Sequence, residues 1–496
     1  MSAALASSGI SSLVNPRPAR KRSHVSPNEI IKAYQAFFAD ERRPLDVISF
    51  FRDVVASVPA YRKFLVDAKI DPAAIQSVED FRQLPMTSKA TYTNRYPLPE
   101  LCRGGSLDGC DIIAVSSGSS GQPTIWPRSV VDELQVAERF EQVFRTFKAD
   151  SRGTLAVVCF PLGTWVGGLY TTACVRHLAA KGFPITTVAP GNNKAEILRI
   201  VPELAPHFEQ VVLLGYPPFV KDVIDSGTGW SAHRIKMVFA GEVFSEEWRD
   251  LVASRAGVAD PVSDMVSLYG TADAGVLGNE TPKSVSIRRF LASRPDLARE
   301  LFGESRLPTL VQYDPASRFF ETREGTLLFS GDNGVPLIRY HIADEGGQVS
   351  HEDMTRFCER NGFTPAGGPE LPFVYVFGRS LFTVSFFGAN IYPENIAVGL
   401  EQPGISDSVT GKFVLETYED ADRDRRLRIS VELAPGREAD PRLLATAIRD
   451  QLLRLNSEFA HYVPAERQLP EVLLRPAGDP EYFPVGVKHR YTRGKT

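Results

Sequence analysis

The sequence predicts an α/β protein. A large N-terminal domain of mainly parallel sheets covered by helices carries a small β subdomain, and a small α+β C-terminal domain follows. Three observations carry this prediction. Between about residues 150 and 270, short β-forming runs alternate with segments whose apolar residues recur at helical spacing, the pattern of strand–helix–strand units. Around residues 310–340 the runs shorten and turn residues crowd between them. From about residue 379 an alternating strand is followed by one long amphipathic helix. The expected boundaries are 1–25 for a tail, 26–378 for the N-terminal domain and 379–496 for the C-terminal domain.

The elements follow in order. Residues 1–25 are Ser-rich, carry a basic cluster (Arg17, Arg20, Lys21, Arg22) and hold no acidic residue. They lack the apolar core of a secretory signal. Their composition favours a disordered tail, with an organelle transit segment as the alternative. The apolar run Ile112–Val115 leads into Ser116-Ser117-Gly118-Ser119-Ser120-Gly121. Glycines let a backbone approach a polyphosphate with its N–H groups turned inward. A Walker loop would close on Gly-Lys-Ser/Thr. Here Gln122-Pro123 follow Gly121, so the loop alone reads equally as a linker. Leu134, Ala137, Phe140, Phe144 and Phe147 mark the core-facing side of a helix.

Strands are expected at Thr154–Cys159, Ile185–Val188, Val211–Leu214 and Met237–Ala240. Ile197, Ile200, Val201 and Leu204 place a helix between two of them. Sheets of this kind bind ligands at the carboxyl ends of their strands. Gly325–Ser330 reads as a strand and Gly331-Asp332-Asn333-Gly334 as a turn. Leu427, Ile429, Val431 and Leu433 alternate with polar residues, as in a half-exposed strand. Asp440-Pro441 supplies an N-cap and a first-turn proline, and Leu444, Ile448, Leu452 and Leu455 give the following helix its apolar stripe.

Composition narrows the function. Of 496 residues, 43% are hydrophobic, and 56 basic residues face 60 acidic ones for a net charge of -4. Near-neutrality gives no electrostatic reason to expect nucleic acid or an anionic membrane as partner. No apolar run is long enough to span a bilayer. Five scattered cysteines (Cys102, Cys110, Cys159, Cys174, Cys358) form no CxxC pair and no disulfide framework. Cys159 lies in an apolar run and reads as core. A reducing cytoplasm fits this usage.

The serine loop with its Gln-Pro-Thr resembles the SSGTTGxPT loop of the adenylate-forming ligases, in their phenylacetate–CoA ligase branch. Six further segments resemble that superfamily in the same order. Val55–Cys102 has the branch's N-terminal pattern of a proline and tyrosine, a Leu-Pro, a Ser-Lys and a Tyr-Pro. Thr164–Tyr170 is similar to its acyl-pocket segment, Ala240–Val243 to its GAEP turn and Tyr269–Asp273 to YGxSE or YGxTE. Pro336–Asp344 resembles PxIRYRTxD, and Gly378–Ile396 resembles GRxDDxxxxxGxNxxPxxIE. The resemblance runs from about residue 50 to the C-terminus.

It implies an ATP-dependent, AMP-forming ligase that adenylates a small-molecule carboxylic acid, aromatic or otherwise compact and apolar, and transfers the acyl group to CoA. Ser116 through Gly121 would hold the β- and γ-phosphates. Gly241 and Glu242 would line the adenine slot, Tyr269 would lie against adenine beside Gly270 and Thr271, and Asp344 and Arg379 would hold the ribose. Asp273 would hold Mg²⁺, although the family prefers glutamate there, and Ala272 replaces a hydroxyl residue. Trp165, Gly167, Gly168, Tyr170 and Tyr216 would form the acid pocket, and Gly388 would let a pantetheine arm pass. Lys488, in a segment similar to the family's G-x-K-x-R ending, would bridge carboxylate and α-phosphate as a mobile cation. The C-terminal domain becomes a mobile lid, and a homodimer would suit the branch.

Where the family carries a hinge aspartate or lysine, this chain has Leu381 and Phe382, and Phe387 replaces a basic residue. That motivates an alternative in which the adenylate passes to an amine, a carrier-protein thiol or another nitrogen nucleophile. A further alternative is a degenerate, non-catalytic ligase fold.

Overall fold

The computed structural model describes residues 27–39, 45–116, 124–379, 383–483 and 491–492. The expected tail at 1–25, the loop residues Ser117 to Gly121, the hinge residues Leu381 and Phe382, and Lys488 lie outside them.

Ile112–Ser116 (β1) and Thr124–Arg128 (β2) pair antiparallel. The central sheet begins with Thr154–Val158 (β3), Ile185–Val188 (β4), Gln210–Gly215 (β5), Ile235–Ala240 (β6) and Met265–Thr271 (β7). It continues with Gly275–Asn279 (β8), Thr309–Gln312 (β9), Phe319–Arg323 (β10), Thr326–Gly331 (β11), Leu337–Val349 (β12) and Phe373–Arg379 (β13). Its order is β10-β11-β12-β13-β9-β8-β7-β6-β5-β3-β4. β4-β3-β5-β6-β7 run parallel, because the helices Val166–Ala180, Lys194–Leu204, Pro217–Ser226 and Glu246–Ala256 supply the crossovers that parallel pairing needs. β3 and β5 are buried along their whole length, as strands covered on both faces must be. The other strands pair antiparallel. The short strands anticipated as a small β subdomain are therefore the antiparallel half of this same sheet. Short connections such as the turn between β10 and β11 permit no crossover.

The helix Val130–Thr146 starts on a capping box between Ser129 and Asp132 and buries Leu134, Ala137, Phe140 and Phe144. In the C-terminal region, Val384–Phe386 (β14) and Ala389–Ile391 (β15) form a hairpin. Val409–Glu419 (β16), Arg425–Leu433 (β17) and Glu471–Arg475 (β18) form a separate three-stranded sheet. Asp440 caps the helix Pro441–Leu455, whose Leu444, Ile448 and Leu452 are buried, as the apolar stripe predicts.

This C-terminal region is docked on the parallel half of the large sheet. One hydrophobic cluster joins Phe239, Phe244 and Trp248 to Phe386, Phe387 and Ile396. A charged network borders it. Lys221 is only 1% exposed at its side chain, and its ammonium lies 2.6 Å from Asp225, 2.7 Å from Asp424 and 3.4 Å from Asp422. Arg255 bonds Asp225 and Asp422, and Arg467 lies 2.7 Å from Asp424. Lys194 reaches both Asp222 (2.7 Å) and Glu466 (3.0 Å).

The segment before β1 is fastened to β12. The Thr87 N–H donates to the Arg339 carbonyl (3.1 Å), the His341 N–H to the Thr87 carbonyl (2.8 Å), and the Thr87 hydroxyl to the Ile338 carbonyl (2.6 Å).

Candidate active site

A cavity of about 440 Å³ opens over the carboxyl ends of β6 and β7 and reaches the C-terminal region. Its size suits a small-molecule ligand, and its position is the one that parallel topology favours.

At the end of β7, the Tyr269 hydroxyl donates to Asp344 Oδ2 on β12 over 2.7 Å, and both side chains are buried. Gly270 follows at a register irregularity between β7 and β8. A Cβ there would stand 2.7 Å from the Gly275 carbonyl, so the close return of the chain requires glycine. Thr271 Oγ1 accepts from the Ala274 N–H at 3.1 Å and tightens the turn. At the turn sits Asp273, which is 2% exposed. Its Oδ2 accepts from the Tyr340 hydroxyl at 2.8 Å, and its Oδ1 lies 3.5 Å from the Lys89 ammonium.

Lys89 lines the cavity, and its local sequence does not single it out for a role there. Ser88-Lys89 is visible only as part of an N-terminal pattern. Its proximity to Asp273 depends on the fastening of Thr87 to β12, a contact of 251 residues' separation. The Lys89 ammonium also lies 5.8 Å from the Trp126 ring centroid. Trp126 in turn donates through Nε1 to the buried Ser116 Oγ (3.0 Å) at the entry to the serine loop.

Gly241 (φ +84°) and Gly388 (φ +82°) come from the two docked regions and meet at Tyr216. Cβ atoms on them would stand 2.8 and 2.4 Å from its ring. Glu242 lines the cavity, but its carboxylate is engaged across the junction. Oε1 accepts from the Gly388 N–H at 2.7 Å, and Oε2 lies 3.3 Å from Arg425 Nε. The expected adenine-slot residue is thus also a junction residue.

Val136, Phe140, Phe160, Tyr170, Leu268 and Val276 give the cavity an apolar wall. Of the expected pocket residues, Gly167, Tyr170 and Tyr216 line it, whereas Trp165 and Gly168 do not. Residues 167, 170 and 171 share one face of the helix Val166–Ala180, and 165 and 168 fall off that face. Trp165 packs instead on Tyr462 (ring centroids 4.9 Å apart) and His461 (5.8 Å). Gly168 faces the Pro161 carbonyl, which a Cβ would approach to 2.1 Å.

Arg379 pairs with Asp344 across β13 and β12. His341 is half-buried, with Nε2 3.0 Å from Thr326 Oγ1. Burial lowers its imidazole pKa, against the opposing charge of Asp344. Phe387, buried and with φ +53°, packs on Phe386. Among the described residues no helix is long and apolar enough to cross a membrane.

No family model matches the chain. It is 22% identical over 383 residues, 75% of each chain, to a phenylacetate–coenzyme A ligase of Thermus thermophilus. A 2-hydroxyisobutyryl-CoA ligase in complex with 2-HIB-AMP and CoA, in the thioesterification state, superposes with a TM-score of 0.60 at 15% identity. That match covers 95% of this chain and 91% of the other. The same ligase in a postadenylation state gives 0.52 at 13% identity, over 97% and 94% of the two chains. The chain thus shares the fold of the 2-hydroxyisobutyryl-CoA ligase along nearly its whole length and is similar in sequence to a phenylacetate–coenzyme A ligase over three quarters of it.

Proposed function

We propose that the protein is an AMP-forming acid–CoA ligase acting on an aromatic or otherwise compact, apolar carboxylic acid. The observation that carries this is one cavity holding the Tyr269–Asp344 pair, the Lys89–Asp273 pair, an apolar wall and the glycine pair at Tyr216. Tyr269 would lie against adenine and Asp344 would accept from the ribose hydroxyls. The acid would lie against Phe140, Phe160 and Tyr170, with its carboxylate turned toward the serine loop. A carboxylate oxygen attacks the α-phosphorus and pyrophosphate leaves. The thiol then attacks the acyl carbonyl and AMP leaves. The first step concentrates negative charge, so fixed cations and backbone donors are the economical way to lower its barrier. Lys89 supplies one cation and Lys488 the second.

Asp273 fits a metal role. It is a hard oxygen donor on the cavity, and Mg²⁺ commonly takes one or two carboxylates, with phosphates and water completing the shell. When bound there, Mg²⁺ would neutralise phosphate charge.

The C-terminal region acts in this reading as a lid, residues 379–496, over the N-terminal domain. The higher superposition score with the thioester-forming state than with a postadenylation state supports a docked orientation suited to thiol transfer.

A pyrophosphate-exchange screen over aryl and short branched acids tests the adenylation. Absence of acid-stimulated exchange with every acid would end the reading. Product analysis with and without CoA separates thioester formation from transfer to an amine or carrier protein. Lys488→Ala should lower exchange by about 10² or more.

A further inference from the structure

The turn between β7 and β8 leaves a backbone problem. β7 ends at Thr271 and β8 begins at Gly275, so the carbonyls of residues 272–274 stand outside the strand ladder. Asp273 and Ala274 are buried, at 2% and 0% exposure, and buried carbonyls need donors. Two arginines supply them. Arg128 Nη2 donates to the Ala272 carbonyl (2.8 Å) and the Asp273 carbonyl (2.6 Å). Arg318 Nη2 donates to the Ala274 carbonyl (3.0 Å) and to Asn333 Oδ1 (3.1 Å).

These side chains are an expensive means of satisfying three carbonyls. Arg128 is fully buried and Arg318 is 3% exposed, and neither lines the cavity. The Nε of each is buried without a hydrogen-bond partner. Burial lowers the Arg318 pKa to about 10, with Asp332 and Asp132 opposing, so it remains a cation at neutral pH. Two buried, incompletely bonded guanidinium groups cost stability, and a neutral donor could serve a turn that had only to fold.

β2 ties this grip to the rest of the site. Arg128 lies 5.8 Å from the Trp126 ring centroid, and Lys89 lies at the same distance from it. Trp126 holds Ser116. One strand therefore touches the entry of the serine loop, the Lys89 ammonium and the turn that carries Asp273.

We propose that Arg128 and Arg318 are positioning residues: they grip the carbonyls of Ala272, Asp273 and Ala274 and so hold the Asp273 carboxylate toward the polyphosphate. What the carboxylate meets rests on the ligase reading above; the grip itself does not. Lysine at position 128 keeps the charge, but its point-like ammonium does not reproduce the planar fork.

Amide hydrogen exchange and calorimetric titration with MgATP test this on Arg128→Lys and Arg318→Lys. The expected result is exchange at residues 271–275 faster by about tenfold or more, with β5 and β6 amides unchanged, and MgATP affinity weaker by about 10- to 100-fold, the usual loss for outer-shell partners. If Arg128→Lys does not fold, Arg318→Lys, which releases the Ala274 carbonyl, is read in the same way. Wild-type exchange in the turn together with wild-type MgATP affinity overturns the proposal. If MgATP binds neither the wild type nor the variants, the ligase reading fails, while the exchange rates still decide whether the turn is held.

Discussion

Replacing Gly388 with alanine would put a methyl group where the two docked regions meet. At φ +82°, a residue with a Cβ costs roughly 1–2 kcal/mol relative to glycine. The methyl carbon would stand 2.4, 2.5 and 2.6 Å from three ring carbons of Tyr216. That ring cannot swing aside easily, because it is packed against Phe160 (5.1 Å between centroids) and Tyr462 (5.4 Å). Overpacking of this kind costs typically about 1–3 kcal/mol. Only the packing part, roughly 1–3 kcal/mol, falls on the docked arrangement, because the hairpin turn that holds Gly388 carries the backbone part whether docked or not. At about 1.4 kcal/mol per factor of ten, the docked-to-undocked ratio drops by about 5- to 150-fold. Acyl-CoA formation should fall steeply while acid-dependent pyrophosphate exchange stays near wild type. Adding Tyr216→Leu should restore most of the loss by removing the ring that the methyl meets, a coupling that a double-mutant cycle reads directly. Wild-type acyl-CoA formation by Gly388→Ala would refute the reasoning about this junction.

Further outcomes follow from the same geometry. Lys89→Met removes the ammonium 3.5 Å from Asp273 and should slow pyrophosphate exchange by about 10²; an unchanged rate removes Lys89 from the chemistry. Lys221→Met leaves Asp225, Asp422 and Asp424 facing one another. With allowance for the exposure of Asp422, it should weaken docking by roughly 1–3 kcal/mol. Small-angle scattering should then show expansion that added salt diminishes by screening the carboxylates, and a profile identical to wild type counts against an electrostatic junction. The imidazole of His341 is held below its ordinary pKa chiefly by burial. The unfolded chain therefore binds the proton more readily, so stability is retained above about pH 6.5 and falls as the pH drops below it. His341→Gln should flatten that slope in thermal melts between about pH 7 and 5, and an unaltered slope would exclude His341 as its source.

Much of this fold is legible in the amino-acid sequence. The strands at 154–158, 210–215 and 235–240 are short apolar runs between amphipathic helices, and such runs report burial on both faces directly, whereas Ile185–Val188 is the partly exposed edge strand. The helices Val130–Thr146 and Pro441–Leu455 are readable from their caps and stripes. Tyr269, Asp344, Gly241 and Gly388 stand out by their local motifs, and all four line the cavity. The misplacements have a common cause. Trp165 and Gly168 belong to the right segment, but only the start of the helix decides which of its faces meets the cavity. The antiparallel strands look like a separate unit in the sequence because pairing partners distant along the chain leave no local trace.

Local order is therefore written in the chain itself: where strands and helices lie, which residues need a left-handed backbone, and which motifs could meet a nucleotide. Adjacency is decided only by the tertiary structure. Lys89 reaches Asp273 because Thr87 is fastened to β12. Arg128 reaches the Asp273 carbonyl across 145 residues of sequence, and Glu242 finds Gly388 across 146. Periodicity and capping act over one or two turns of chain, whereas these contacts exist only once the burial of the whole sheet has brought distant segments together.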